Sequence, residues 1–252
     1  MSEQESTSAA STATDEQKLD GWLRLNALEL NPKRLHQLLE TCAGDPAALI
    51  ALPTSQWRER LPDLSAKQLE RITAVKERNF DKEHAYFAKS GACLVAIDNP
   101  AYPANLRPLP DAPPVLIVRG ELIPEDKFSV AIVGSRRATS YGLSLAKRFS
   151  RDLAAQGLAI VSGGARGIDT QAHLGALDGG GRTIAFLGCG IDIDYPSENK
   201  KLFDQITENG GAVVSEFPLG TRPEPWRFPA RNRLISGISL GVLVIEDRKS
   251  VV

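Results

Sequence analysis

Between Val130 and Ile245 the chain repeats one unit: a short apolar run, a turn, and a stretch with helical spacing. The run 130–133 is continuous and mostly β-branched, so it reads as a strand covered on both faces, and 158–161, 182–187, 212–215 and 241–245 read as further strands. Between them, 143–156, 169–177, 197–208 and 229–239 read as helices; in the first of these, Leu143, Ala146, Phe149 and Leu153 share one face. Each helix carries the chain back to start the next strand in the same direction. The expectation is therefore an α/β fold, a Rossmann-like parallel sheet wrapped by helices. In such sheets ligands bind outside the carboxyl ends of the strands, and the glycine- and arginine-rich turns all lie there.

The first of these turns follows the strand 130–133. Gly134 and Ser135 permit a tight turn, Arg136 and Arg137 add two adjacent charges, and Ser140 is placed to cap the next helix. Backbone N–H groups, a helix N-terminus and guanidinium forks together suit a phosphate. The second turn, Ser162-Gly163-Gly164-Ala165-Arg166-Gly167, has three glycines in five positions and one arginine. Further on, Pro229 suits a first helical turn beside Arg231, Asn232 and Arg233, where arginines grip phosphates and Asn reads a base edge or organises the loops.

Other chemistries fit less well. The second turn is not GxGxxG and no acidic residue is placed for a ribose, so no dinucleotide cofactor is expected; GxxxxGK[ST] is also missing. Asp192 and Asp194 at i, i+2 lack a third ligand and read as turn residues, so no metal is expected. Cys189 between glycines reads as a small buried residue, and His173 as helix-face packing near Asp169. Gly237-Ile238-Ser239-Leu240-Gly241 matches GxSxG, but its serine ends a helix instead of following a strand, and no histidine follows.

Formal net charge is −1 over 252 residues, so charge matters only through its placement. From Ser129 to Arg166 six basic residues face one acid, Asp152, and Arg222, Arg227, Arg231 and Arg233 face only Glu224 in 222–233. If these segments converge, one face is basic. Three scattered cysteines, Cys42, Cys93 and Cys189, suggest a reducing compartment, and no apolar run approaches eighteen residues, so a soluble cytoplasmic protein is expected.

Residues 1–15 hold no group worth burying and are expected to be a disordered tail. Residues 16–87 read as a small helical domain, with Leu19, Trp22, Leu23 and Asn26, then Leu35, Leu38 and Leu39, then Leu69, Ile72 and Val75 at helical spacing. Two strands, 93–97 and 115–118, flank a connection carrying Pro100, Pro103, Pro108, Pro110, Pro113 and Pro114, a semi-rigid lead-in to the sheet.

Three motifs in this order, Val-Gly-Ser-Arg-Arg-Ala-Thr-Ser-Tyr-Gly, Ser-Gly-Gly-Ala-Arg-Gly-Ile-Asp-Thr-Gln-Ala-His and Phe-Pro-Ala-Arg-Asn-Arg-Leu-Ile-Ser-Gly, resemble the DNA-processing protein A (DprA, or Smf) family over roughly residues 90–246. The helical segment resembles that family's sterile-alpha-motif-like N-terminal domain. The resemblance implies a non-enzymatic protein, without cofactor, that binds single-stranded DNA, dimerises through its Rossmann-like domain and loads the RecA recombinase in natural transformation. The nucleic-acid-binding positions it carries over are Gly134, Ser135, Arg136, Arg137, Ser162, Gly163, Gly164, Arg166, Arg231, Asn232 and Arg233. An alternative is an enzyme acting on a nucleotide monophosphate, as related Rossmann-like proteins with PGGxGTxxE do, but the Thr and catalytic Glu of that pattern are missing. A scaffold that binds no nucleic acid is the third reading. The chain departs from the family after Glu246, where further βα units are expected. Residues 88–246 thus read as an incomplete DNA-binding domain, and 247–252, which resemble a translated sequencing adapter, as a non-native tail.

Overall fold

The computed structural model describes residues 17–247, so the expectations for the tail 1–15 and for nearly all of 247–252 lie outside the described residues. Six helices come first: α1 over 17–27, α2 (Pro32–Glu40), α3 (Pro46–Ala51), α4 (Thr54–Arg60), α5 (Ala66–Glu77) and α6 (Asp81–Ser90). Local chemistry sets several boundaries. Asn31 and Asp45 accept from the first-turn amides of α2 and α3, each followed by a proline whose missing N–H costs nothing there. Ser65 and Gln68 close a capping box on α5, and Gly91 ends α6 at φ 67°. Trp22, Leu35, Leu38, Trp57, Ile72 and Val75 form the bundle core, which continues onto Ala96 and Val115 of the first two strands. The helices therefore pack on the sheet's leading edge.

Seven strands make one sheet: β1 (Cys93–Ala96), β2 (Val115–Gly120), β3 (Ser129–Gly134), β4 (Ala159–Ser162), β5 (Thr183–Phe186), β6 (Ala212–Ser215) and β7 (Gly241–Ile245), in the order β1-β2-β6-β5-β4-β3-β7. From β6 to β7 neighbours are parallel, as expected for a Rossmann-like core. The two leading strands differ: β1–β2 and β2–β6 are antiparallel, making the sheet mixed. Their connection is the proline segment, which folds back without a crossover helix and is anchored by the Tyr102 hydroxyl donating to Pro113 O at 2.8 Å.

Helices α7 (Ser140–Ala155), α8 (Ile168–Asp178) and α9 (Lys200–Glu208) cover one face, and α10 (Arg227–Ile238) with the proline segment covers the other. Successive strand residues split between the layers: Ala131, Val161 and Val214 pack toward α10, while Ile132, Ile160 and Val213 pack toward α7–α9. This two-sided burial is why the strands read as unbroken apolar runs. Thr139, not Ser140, caps α7, its side chain accepting from Gly142 N, and the segment 197–199 is a 3₁₀ turn leading into α9. Gly237 sits where a Cβ would stand 2.6 Å from Leu109 Cδ1, and Ser239 donates back to Ile235 O; the GxSxG match is a packing site.

The chain runs outward through β3, β4, β5 and β6, then crosses back to lay β7 on the other side of β3. That reversal puts the topological switch point, where ligands bind in sheets of this kind, at the carboxyl ends of β3 and β7.

Candidate nucleic-acid interface

The three motif turns meet on that rim. Ser135 O accepts from Ile168 N at 3.2 Å, joining the first turn to the second. Arg231 Nη1 donates to Gly163 O at 2.8 Å and also to Phe186 O, joining α10 to the second turn and to β5. The Arg136 guanidinium lies 4.9 Å from the Phe228 ring, and Phe228 pairs with Tyr195 at 5.5 Å between centroids, tilted by 35°. Arginine, phenylalanine and tyrosine thus form a stacked platform. A Cβ at Gly188 would stand 2.7 Å from Phe228, so a glycine is required beneath the ring.

Each predicted position can now be placed. Arg136 and Arg137 are exposed, and no carboxylate pairs with either among the described residues. Ser135 Oγ accepts from Arg137 N at 3.1 Å and shapes the loop. Arg166 is exposed but carries a surface pair, its Nε and Nη2 donating to Glu198 at 3.0 and 2.5 Å; that contact holds the Glu198 carboxyl below its usual range after its own backbone hydrogen bond. Such a pair exchanges readily for a phosphate. Asn232 is exposed.

The side chains at the other positions are engaged within the fold. Arg231 is 3% exposed and spends its guanidinium on two carbonyls. Arg233 bridges two acids, with Nε on Asp111 at 2.8 Å and Nη1 and Nη2 on Glu216 at 2.7 and 2.6 Å. Ser162 is buried and donates to Ile132 O at 2.6 Å, fastening β4 to β3. Gly134 and Gly163 answer to crowding: a Cβ at Gly134 would stand 1.8 Å from Ile245 O, and one at Gly163 2.6 Å from Arg231 Nη2. Gly164 takes φ +64°, with Phe203 2.8 Å from where its Cβ would be.

Sequence reasoning missed three residues that hold the rim in shape. Asp169, in the first turn of α8, accepts from Gly163 N at 3.1 Å and Ala165 N at 3.3 Å. Burial pushes its carboxyl up, against the pull of Arg231 and those amides. Asn199 donates to Gly164 O and to Thr170 Oγ1, both at 2.9 Å, closing the loop from outside. Glu246 accepts from Thr139 N at 2.7 Å and from the Thr139 hydroxyl, and so supports the α7 N-terminus. An acid in the first turn after a glycine loop was the available signal for Asp169. Asn199 and Glu246 carry no comparable mark.

Cys189 is fully buried, with its thiol pushed by burial to about 11, and Asp192 accepts from Gly220 N in a turn. Among the described residues no group of three His, Cys, Asp or Glu side chains is gathered for a metal ion, and no helix is long and apolar enough to cross a membrane.

His173 is also buried, and its partner is Thr183, not Asp169: Nδ1 lies 2.7 Å from Thr183 Oγ1. The Thr183 hydroxyl already donates to Ile160 O at 2.7 Å, so Nδ1 carries the proton. Nε2 is then a bare lone pair in the core without a partner. Burial first, then the Arg231 charge, drives this imidazole down to about 3 from 6.5. A folded value below the unfolded one means that stability is complete above 6.5 and is lost as pH falls from there towards 3. Urea unfolding at pH 7, 6 and 5 should show the parent losing up to about 1.4 kcal/mol per pH unit more than His173→Asn, whose amide keeps the Thr183 bond. Equal slopes would remove His173 as the cause.

Comparison with known proteins agrees with this architecture. The family described as DNA recombination-mediator protein A matches residues 93–250. The chain is 39% identical to Protein Smf of Escherichia coli over 73% of this chain and 49% of that protein. It is 32% identical to DNA processing protein DprA of Bacillus subtilis over 90% of this chain and 74% of that one. The X-ray structure of DprA from Streptococcus pneumoniae superposes with a TM-score of 0.73 at 33% identity, covering 90% of this chain and 77% of that chain. A DprA structure from Helicobacter pylori, described for its single-stranded DNA binding mode, gives 0.55 at 35% identity over 62% and 71%. The chain spans about half the length of the E. coli relative and 61% of the S. pneumoniae one. As the three motifs implied, the chain belongs to the DNA recombination-mediator protein A family.

Proposed function

We propose that the rim binds single-stranded DNA through its backbone and performs no bond chemistry, as part of DNA processing in transformation. The observation that carries this reading is the adjacent pair Arg136 and Arg137, without carboxylate partners, with Arg136 seated on the Phe228–Tyr195 platform. Two free guanidinium groups meet phosphates, and an aromatic face accepts a base of any identity. Arg166 and Asn232 extend the contact along the strand. The same reading carries RecA loading and homodimer formation, which rest on the family resemblance and on the recombination-mediator description of the family. The alternative of an enzyme acting on a nucleotide monophosphate lacks support, because the acid that follows the glycine loop, Asp169, is buried and committed to backbone amides.

Fluorescence polarisation with oligo-dT over a salt series tests the reading. Two lost phosphate contacts in Arg136→Glu/Arg137→Glu should weaken binding by at least about a hundredfold at moderate salt and flatten the log K against log[salt] slope by roughly 1.4. Unchanged affinity, or base release from AMP by the purified protein, would sink it. RecA filament nucleation on protein-coated strands, scored with the same variant, tests the loading role.

A further inference from the structure

A second site lies on the other side of the α10 N-terminus. Between the helical bundle and the sheet there is a cleft of about 370 Å³, whose lining includes Asn26, Glu29, Asp111, Glu216, Trp226 and Arg227. That is the lower end of the range for small-ligand sites, room for one nucleoside and not for a chain. Arg227 is 8% exposed, with its guanidinium between the Phe217 ring at 4.8 Å and the Trp226 ring at 4.4 Å. Its Nη1 reaches Glu29 at 3.3 Å, but Nε is buried without a hydrogen-bond acceptor, and the Glu224 carboxylate stands 4.0 Å away. A buried charged donor left unmet is costly and points to a missing acceptor. Trp226 is 57% exposed, a large flat ring open to solvent.

The lining selects a chemistry. Three carboxylates (Glu29, Asp111 and Glu216) stand against two guanidinium groups (Arg227 and Arg233), and both cations already have carboxylate partners. Another anion is therefore disfavoured. A neutral planar heterocycle fits, with an acceptor for Arg227, N–H donors for the carboxylates and a face for the indole. Guanine offers O6 and N7 on one edge and N1–H with the 2-amino group on another; thymine offers a single N–H donor.

We infer that this cleft is a nucleobase pocket for guanine, filled by a base of the strand held at the rim. The strand as source rests on the reading proposed above. One residue, Arg227, separates Trp226 in the cleft from Phe228 on the platform, so one helix start serves both.

Two measurements on the full chain test this. Trp226 is exposed, whereas Trp22 and Trp57 are 3% and 0% exposed, so quenching of tryptophan emission reports on the cleft. Guanosine, which has no phosphate, should quench it more than thymidine does, and Trp226→Phe should change that signal. In polarisation, oligo-dT carrying a central guanine should bind about five- to tenfold tighter than plain oligo-dT. Trp226→Ala, a surface change, should abolish that preference and leave plain oligo-dT affinity within about twofold. Quenching by guanosine without a strand preference supports the pocket with a free nucleoside as ligand. A strand preference lost in Trp226→Ala supports the strand as source. Absence of both overturns the inference, while Arg136→Glu/Arg137→Glu still reports separately on the rim. If that double variant binds oligo-dT normally, the rim reading fails and the guanosine titration alone decides the cleft.

Discussion

Replacing Arg231 with alanine lowers the unfolding free energy by about 3–5 kcal/mol, because it leaves two buried carbonyls without a donor and removes the cation near the buried Asp169 carboxyl. Arg231 sits 3% exposed beneath the second turn, close to Asp169 at the Gly163 position. Its removal also strips the donor from Gly163 O and Phe186 O, two carbonyls at the strand ends. Burial lowers the guanidinium to about 10, and the nearby Asp169 carboxyl opposes that. Arg231→Lys should recover only part of the loss, since an ammonium cannot reproduce the planar fork that spans two carbonyls. Urea denaturation reads this directly, and the thermal midpoint should drop by roughly 10 °C. A loss below about 1 kcal/mol, or a fall in the salt slope of DNA binding for the folded variant, would instead give Arg231 a ligand-gripping role.

Gly134→Ala should cost more than about 3 kcal/mol and weaken DNA binding together with stability. The added methyl would stand 1.8 Å from Ile245 O and 2.8 Å from Ile168 Cγ1, so β3 and β7 must part at their carboxyl ends. That junction supports the rim: Gly134 pairs with Ile245, Ser135 N donates to Glu246 O at 3.0 Å, and Glu246 supports the α7 cap through Thr139. Spreading the two strands therefore displaces Arg136 and Arg137 without touching either side chain. Denaturation and oligo-dT titration of the same variant check both halves; wild-type affinity in a destabilised protein would uncouple them. A control at Gly157, where a Cβ meets nothing within 4 Å but φ is +86°, should lose only the backbone preference, about 1 kcal/mol.

How far residue pattern reached can be judged from single positions. The strand 212–215 was readable to the residue, because an apolar run buried on both faces has sharp ends where turns begin, and the edge strand 241–245 was readable from its apolar run although Val242 and Val244 are exposed. The α7 cap was off by one, since Thr139 and Ser140 both carry a hydroxyl and only the entering backbone direction decides which one faces Gly142 N. The antiparallel setting of β1 and β2 was not legible, because a proline-rich connection fixes stiffness but not which edge it reaches. Arginine identity announced charge without its destination. Arg233 found Asp111, 122 positions away, and Glu216, 17 positions away, whereas Arg137 found no carboxylate.

From its residues alone this chain is committed to a β/α layered sheet with glycine turns and arginines at the strand ends, since periodicity and turn chemistry are local properties carried by neighbouring residues. Which arginines remain open to a ligand and which disappear into the frame was decided only by the tertiary structure. Each guanidinium's availability depends on whether an acceptor distant in sequence, Gly163 O for Arg231 or Glu216 for Arg233, arrives within hydrogen-bond reach, and no local pattern encodes that encounter.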